Sequence, residues 1–133
     1  MARLYKGMMP VSYVIDKKNG FVLATATGVL TVEDILQFRR QIRNEPDFDP
    51  SLAQLGDLSA ASIDLSADEI RILAETSVFS LTARRALVGE SHEVYGLARM
   101  FSIVRGLRGD RAIRVFRRRD EALAWLLQKD QAA

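Results

Sequence analysis

The stretch from Leu52 to Ile72, LAQLGDLSAASIDLSADEIRI, limits the possible folds of this chain more than any other segment. It begins with a short, mostly apolar run, which is typical of a strand in the centre of a sheet. The chain then becomes polar and small, so we expect the strand to end near Ser59. Ser66 and Glu69 follow at the spacing of a capping box, in which each side chain bonds the backbone N–H of the other residue. The stretch therefore predicts a strand followed by a helix.

Further strand and helix patterns lie on both sides of this stretch. Before it, two strands are predicted over residues 12–18 and 21–30, joined at Asn19-Gly20, a strong hairpin signal, and then a helix over residues 32–43 capped by Thr31. After it, the pattern predicts a strand at 84–89, a helix at about 92–105 capped by Ser91, a strand at 111–117 and a last helix capped by Asp120. The sequence therefore predicts one α/β domain over residues 1–133, with a mixed sheet of four to five strands, about four helices and the order β-β-α-β-α-β-α-β-α.

The composition limits both the chemistry and the expected location. The chain contains no cysteine, so it has neither disulfides nor thiolate chemistry, as is typical of a reducing compartment. No apolar run approaches the ~18 residues that a membrane-spanning helix needs. The N-terminal sequence MARLYKGMMP lacks the apolar core of a signal peptide. We therefore expect a cytoplasmic protein without a transmembrane segment.

Five segments in this order are similar to those of a known family. They are ATGVLTVEDI after the hairpin, LGDLS in the central strand, RRALVGE in the next strand, YGLARMF in the third helix and VFRRRDEALAWL at the end. With these segments, which span most of residues 12–128, the chain resembles the SpoIIAA-like family of small bacterial proteins, which belongs with the STAS domains and is often described as STAS/SEC14-like. The resemblance implies a single STAS-like domain with a mixed sheet. It implies no established activity, because most members are uncharacterised.

One motif of the STAS class is only partly retained. In anti-sigma-factor antagonists of this class, a motif Asp-Ser-Ser/Thr-Gly precedes the second helix, and its Ser or Thr is phosphorylated. The matching stretch keeps Asp64 and Ser66, whereas Leu65 and Ala67 replace the first Ser and the Gly. A phosphate on Ser66 would be attracted by the helix N-terminus, but nearby carboxylates would repel it and the capping box would be lost. We therefore expect Ser66 to cap the helix rather than to act as a switch.

Five polar residues are candidates for binding a ligand or a partner. Asp57 and Ser59 lie at the predicted end of the central strand, where ligands of open α/β sheets bind, and Ser66 begins the next helix. Tyr95 and Arg99 are four residues apart on one helical face and would present a cationic, hydrogen-bonding edge to an anionic ligand. The alternatives are structural: a carboxylate bonded to loop amides, a helix cap, and side chains with buried stems and solvated tips.

Other groups of residues do not indicate a specific chemistry. His92 lies near Glu90 and Glu93, but their spacing matches no known metal site. We recognise no base paired with a nucleophile and no Gly-rich phosphate loop, so we expect no catalytic residue, metal or cofactor. Residues 105–119 contain seven arginines. Since few aromatic residues and no recognised motif accompany them, a solvated sheet edge is favoured over nucleic-acid binding.

These observations predict a non-enzymatic binding or interaction module with a regulatory role. It would recognise either a protein partner or a small apolar-anionic, lipid-like ligand. The ligand alternative follows from the Sec14-type resemblance. Two other classes remain open. One is a structural homo-oligomer without a ligand, for which a homodimer is the simplest form. The other is an enzyme that uses a buried carboxylate such as Asp57, which would then have a raised pKa.

Overall fold

A computed structural model of the chain describes the backbone of residues 3–5 and all of residues 10–128. Within these residues, six strands form one sheet in chain order, namely β1 Arg3–Tyr5, β2 Val11–Asp16, β3 Phe21–Thr31, β4 Ala53–Asp64, β5 Arg85–Val88 and β6 Ile113–Phe116. The same residues form four helices, α1 Val32–Arg43, α2 Ala67–Leu73, α3 His92–Leu107 and α4 Arg119–Leu127. The predicted α/β class, and the predicted order of five strands and four helices, are confirmed. The short strand β1 is additional. The predicted absence of a signal peptide concerns residues that lie mostly outside the described part.

The sheet is mixed, as the opening hairpin predicts. β1, β2 and β3 are antiparallel neighbours, whereas β3, β4, β5 and β6 run parallel to one another. The hairpin loop spans residues 17–20 rather than Asn19-Gly20 alone, because Asp16 is paired with Phe21. The Asp16 carboxylate accepts hydrogen bonds from both nitrogens of Asn19, at 3.0 Å and 2.7 Å, and Gly20 takes a positive φ of 81°. Glycine adopts this conformation without the steric cost that a side chain would add.

The central strand β4 is longer than predicted. The polar exit expected near Ser59 is wrong, because the strand continues to Asp64. Residues 60–64 pair in parallel with residues 27–31 of β3, and a bulge in β4 accommodates the change of register. Small polar residues remain in a strand here because the neighbouring strand supplies backbone hydrogen bonds, which local sequence preference does not report.

Three of the four predicted helix caps are confirmed. Thr31 and Ser66 each form a complete capping box, with Asp34 and Glu69 respectively, and Ser91 accepts a hydrogen bond from the backbone of α3. The prediction for the last helix is wrong. α4 begins at Arg119 and its N-cap position is Arg118, two residues before the predicted cap. Asp120 therefore lies inside the first turn, where a carboxylate is stabilised by the helix dipole.

Helices cover the two faces of the sheet unequally. On one face, α1 and the segment before β5 pack on the hairpin, burying Tyr13, Ile15, Val22, Ala24, Phe38, Ile42, Phe79 and Ala83. On the other face, α4 packs on the parallel strands, burying Leu55, Ala86, Val88, Ala122 and Leu126. The cavity described below lies between the sheet and α1, α2 and α3.

Candidate functional site

A cavity of about 180 Å³ lies between the sheet and helices α1, α2 and α3. Protein interiors are normally close-packed, with few voids larger than a water molecule. An apolar cavity of about 150 Å³ in another protein is large enough to bind benzene. The space in this chain is therefore sufficient for a small organic molecule.

The wall of the cavity is predominantly apolar. The sheet contributes mainly small or aliphatic residues, including Ala24, Ala26, Gly56, Leu58 and Leu87. The helices contribute larger ones, including Ile35, Phe38, Ile70, Leu73, Leu97 and Phe101. Such a wall favours an apolar ligand, because burying apolar surface removes it from water without leaving polar groups unbonded.

Arg39 brings a positive charge to this apolar wall. It lies on α1, is half-buried and lines the cavity. Its Nη2 donates to the carbonyl oxygen of Leu73 at 2.8 Å, and its Nη1 reaches Thr76 Oγ1 at 3.5 Å. Desolvation, together with repulsion from Arg105 and Arg43, lowers the pKa of Arg39 to about 10. Arg39 therefore remains charged at neutral pH, although its surroundings disfavour the charge.

A second cationic group is built from Arg85, Arg105 and Asp110, all of which are buried. Arg85 binds both carboxylate oxygens of Asp110, with Nη1 at 2.6 Å from Oδ2. Arg105 donates to the same Oδ2 from Nε at 3.1 Å and from Nη2 at 2.9 Å. The arginines also donate to backbone carbonyls, Arg85 to Ala83 at 2.8 Å and Arg105 to Ala74 at 3.1 Å. One carboxylate thus serves two guanidinium groups, and Arg85 lines the cavity.

The carboxylate of Asp110 is held in its ionised form. Burial by itself would raise the pKa of Asp110, but hydrogen bonds from Arg85 and Arg105 and the charge of Arg85 outweigh it, so the pKa lies below the ordinary value. No buried polar side-chain atom lacks a hydrogen-bond partner in the described part of the chain. The network is therefore satisfied internally, as a buried ionic group must be.

Asp57 is the only one of the five predicted site residues that lines the cavity. Its carboxylate accepts hydrogen bonds from Arg119 Nη1 at 2.9 Å and from the backbone N–H of Ser59 at 3.0 Å. Burial by itself would raise the pKa of Asp57, but the bonds from Ser59 and Arg119 outweigh it and lower the pKa. Since Arg119 begins α4, this carboxylate is turned towards the α4 face of the sheet.

The other predicted site residues lie apart from the cavity. Ser59 adjoins Asp57 on β4, and Ser66 caps α2 through its exposed hydroxyl. On α3, Tyr95 is half-buried beneath the guanidinium of Arg117, which lies 4.1 Å from the ring centroid, while Arg99 is exposed. Asp57 and Ser59 are thus hydrogen-bonded on β4. Tyr95 and Arg99 share α3, and Ser66 caps α2, so the predicted site residues lie on different elements.

The arginines of residues 105–119 are distributed over several environments. Arg105 is buried, Arg114 lies over the rings of Phe116 and Trp125, and Arg119 binds Asp57. The sequence run therefore does not form one continuous basic face. His92, at the start of α3, is exposed and close to Arg117, with its Nδ1 at 3.3 Å from Nη2.

Comparison with known proteins identifies the fold. No protein-family model matches the sequence, and no curated protein is significantly similar to it. A solved structure does match, that of an uncharacterised DUF3478-family protein with a SpoIIAA-like fold from Shewanella loihica PV-4. The TM-score is 0.58 at 20% sequence identity, over 93% of this chain and 99% of that chain. The fold is SpoIIAA-like.

The SpoIIAA-like fold accounts for the order of elements. Within the described residues, no group of three or more His, Cys, Asp or Glu could hold a metal ion. No helix in the described part is long and apolar enough to cross a membrane.

Sequence reasoning missed Arg39, Arg85 and Asp110. A signal was present at two of them, since Arg39 adjoins the apolar stripe of α1 and Arg85 begins an apolar strand.

Proposed function

We propose that this chain is a binding module for a small, largely apolar molecule, held in the cavity between the sheet and helices α1, α2 and α3. The observation that carries the proposal is the cavity itself, of about 180 Å³ with a mostly apolar wall. Concave, apolar sites with a few polar groups are the usual form of small-molecule sites. The Sec14-type resemblance of the sequence agrees with a lipid-like ligand.

We also propose that the module binds without catalysing a reaction, in the cytoplasm. Asp57, the one carboxylate named above as a catalytic alternative, is paired with Arg119 and has a lowered pKa. A carboxylate that acts as a general acid at neutral pH needs a raised pKa. The absence of cysteine accords with a reducing compartment.

The first test is native mass spectrometry of the purified protein, compared with its mass after denaturation. We expect an additional, noncovalent mass that disappears on denaturation, or, after delipidation, saturable binding of 1-octanol measured by calorimetry. A protein that carries no small molecule and binds neither 1-octanol nor an eight-carbon ligand with a charged head group would contradict the proposal. A covalent increment of one phosphate would instead restore Ser66 as a switch.

A pair of variants locates the binding. Ala98 is buried on α3 and lines the cavity, whereas Ala124 is exposed on α4. Ala98→Leu places an isobutyl group in the cavity and should weaken 1-octanol binding by about tenfold or more, since most of the apolar contact is lost. Ala124→Leu makes the same chemical change elsewhere and should leave binding unchanged. Equal effects of the two variants would place the binding outside the cavity.

Partner recognition is a second candidate, favoured by exposed apolar side chains on helices α2 and α3. Ile103 and Leu107 lie one turn apart on α3 and are 56% and 82% exposed. Ile72, on the adjacent α2, is 61% exposed. Exposed large apolar side chains are often part of an association surface, including one between two copies of a chain. Light scattering over a wide concentration range tests it: a mass that rises in the native protein but not in Leu107→Glu supports a homodimer, and a constant monomer mass contradicts it.

The sites Ser59, Ser66, Tyr95 and Arg99 belong to this second candidate, because they lie outside the cavity. Arg99 is the most informative, since it is exposed and its removal should leave the fold intact. Arg99→Ala should weaken binding of a partner that uses this side of α3. Unchanged binding would remove Arg99 from the site.

A further inference from the structure

The charges around the cavity do not balance. Arg39 and Arg85 line the cavity, and Arg105 lies close enough to Arg39 to repel it. Asp110 is the carboxylate that faces this group, and it is already shared between Arg85 and Arg105. In the part of the chain that the structure describes, Arg39 forms no ion pair. Three guanidinium groups thus meet one carboxylate beside a mostly apolar space.

Arg39 retains the capacity to bind an anion. A guanidinium carries five N–H donors, and the hydrogen bonds of Arg39 within the described residues are those to Leu73 and Thr76, the second at 3.5 Å. Donors therefore remain for a carboxylate, which an arginine binds with two parallel hydrogen bonds. An anion at this position would also offset the unfavourable desolvation of Arg39.

Asp57 does not supply this missing charge. It lines the cavity, but its two oxygens are engaged by Arg119 and by the backbone N–H of Ser59. Arg119 begins α4, on the face of the sheet opposite Arg39. Asp57 is therefore not the counter-ion of Arg39, and a ligand in the cavity is well placed to bring a negative charge to it.

We infer that the ligand is a monocarboxylate with an apolar body of about six to eight carbon atoms, whose carboxylate is bound by Arg39 while the body fills the cavity. This inference rests on the proposed function and specifies its ligand class. The apolar wall selects the body, and the unpaired guanidinium selects the anionic head over a neutral or cationic one. Charge-assisted hydrogen bonds are about twice as strong as neutral ones, so the head group should dominate specificity.

The test compares three ligands of equal chain length by calorimetry at neutral pH, namely octanoate, 1-octanol and octylamine. The native protein should bind octanoate about tenfold or more tightly than 1-octanol, and octylamine most weakly. If 1-octanol binds as tightly as octanoate, the apolar cavity functions but the carboxylate assignment is wrong. If none of the three binds, the proposed function itself fails, and this inference fails with it.

Variants of α1 assign the preference to one side chain. Arg39→Gln should lose the preference for octanoate while retaining the affinity for 1-octanol, and Arg39→Lys should keep part of it. Arg40 is the exposed neighbour of Arg39, so Arg40→Gln removes the same charge without touching the cavity and should keep the preference. If Arg39→Gln and Arg40→Gln lose the preference for octanoate equally, the preference arises from the net charge of the protein rather than from a carboxylate bound by Arg39.

Substitution of Arg39 removes its hydrogen bond to Leu73, so the stability of each variant is measured as a control. Thermal unfolding of each variant without ligand identifies any that are destabilised by loss of the bond from Arg39 to Leu73. If Arg39→Gln does not fold, the carboxylate assignment is tested by comparing the three ligands in the native protein and in Arg39→Lys. Indifference of both proteins to the head group would overturn the inference.

Discussion

At the scale of single residues, Asp110 determines whether the buried charges are tolerated. Its side chain is almost completely inaccessible, with 1% of the residue exposed, and it bonds both Arg85 and Arg105. A buried ion pair gains little over an apolar replacement, because desolvation offsets the attraction between its charges. Removing one partner is far more damaging, since the remaining charges are left buried without compensation.

Asp110→Asn should therefore lower the free energy of unfolding by about 3–5 kcal/mol. The substitution preserves shape but leaves two buried guanidinium groups without a negative charge. Urea denaturation followed by circular dichroism measures the change. Asp120→Asn is the control, because Asp120 binds Arg118 in an exposed pair that should contribute little. Similar losses in both variants would contradict a special role for the buried network.

The same carboxylate should make stability depend on pH in the acid range. The pKa of Asp110 is lower in the folded protein than the ordinary 3.8, so the folded state binds its proton less readily than the unfolded state does. Its contribution is complete above the unfolded-state pKa and is lost as the pH falls through the folded-state pKa. The difference in stability between the native protein and Asp110→Asn should therefore narrow below about pH 4. Urea titrations from neutral pH to pH 3 would test this, and a constant difference would contradict it.

At the scale of elements, the junction between β5 and α3 depends on a glycine. A Cβ added to Gly89 would lie 2.7 Å from Val94 Cγ1 and 3.2 Å from the backbone nitrogen of Tyr95. The end of the strand therefore packs directly against the first turn of the helix. Gly96, within α3, has nothing within 4 Å of the corresponding position.

Two glycine substitutions on these elements should have opposite effects. Gly89→Ala should destabilise the protein by about 1–3 kcal/mol, because the helix must move to accept the methyl group. Gly96→Ala should stabilise it by about 0.5–1 kcal/mol, since alanine favours the helix and meets no neighbour. Thermal unfolding of both variants measures the effects. A neutral Gly89→Ala would mean that α3 can shift at no cost.

How far each element could be predicted depends on the range of its interactions. The starts of α1 and α2 are fixed by Thr31 and Ser66 and by partners three residues away, so both caps were predicted from the sequence. The capping box was predicted for Ser66 with Glu69, and the box of Thr31 with Asp34 is an addition from the structure. The second half of β4 could not, because its strand form depends on pairing with β3, more than thirty residues earlier. The predicted cap Asp120 lies two positions after the actual N-cap position, Arg118. The prediction was wrong because an acidic residue suits both the cap and the first turn of a helix.

At the scale of the whole molecule, the cavity and the buried network could not be predicted from sequence. Arg85 and Asp110 are 25 residues apart in the chain. They come together because β5 and β6 pair in parallel and α3 connects the two strands. Arg105 is buried, although its place in a run of seven arginines suggested a solvated side chain. A cavity is unfilled space between side chains from every layer, so no residue pattern marks it. The order of strands and helices could be predicted because each element has its own local pattern of apolar residues and caps.

The cavity should lower the stability of the molecule. At roughly 24 cal/mol per Å³, a void of about 180 Å³ corresponds to at most about 4 kcal/mol of stability that tighter packing would provide. Natural proteins often retain such a cost where function requires it. If the void exists to hold a ligand, filling it should improve stability while it removes function.

Ala98→Leu tests this expectation in the absence and the presence of ligand. Without ligand, the variant should be more stable than the native protein by about 1–2 kcal/mol, from the added buried carbon atoms. A ligand at about a hundred times its dissociation constant should stabilise the native protein by about 2.7 kcal/mol, through preferential binding to the folded state. It should stabilise Ala98→Leu much less, so that ligand reverses the order of the two unfolding temperatures. Ala124→Leu should respond to ligand as the native protein does. If Ala98→Leu is instead clearly destabilised, the space beside α3 is too small for a leucine, and the cavity cannot hold an apolar body of the proposed size.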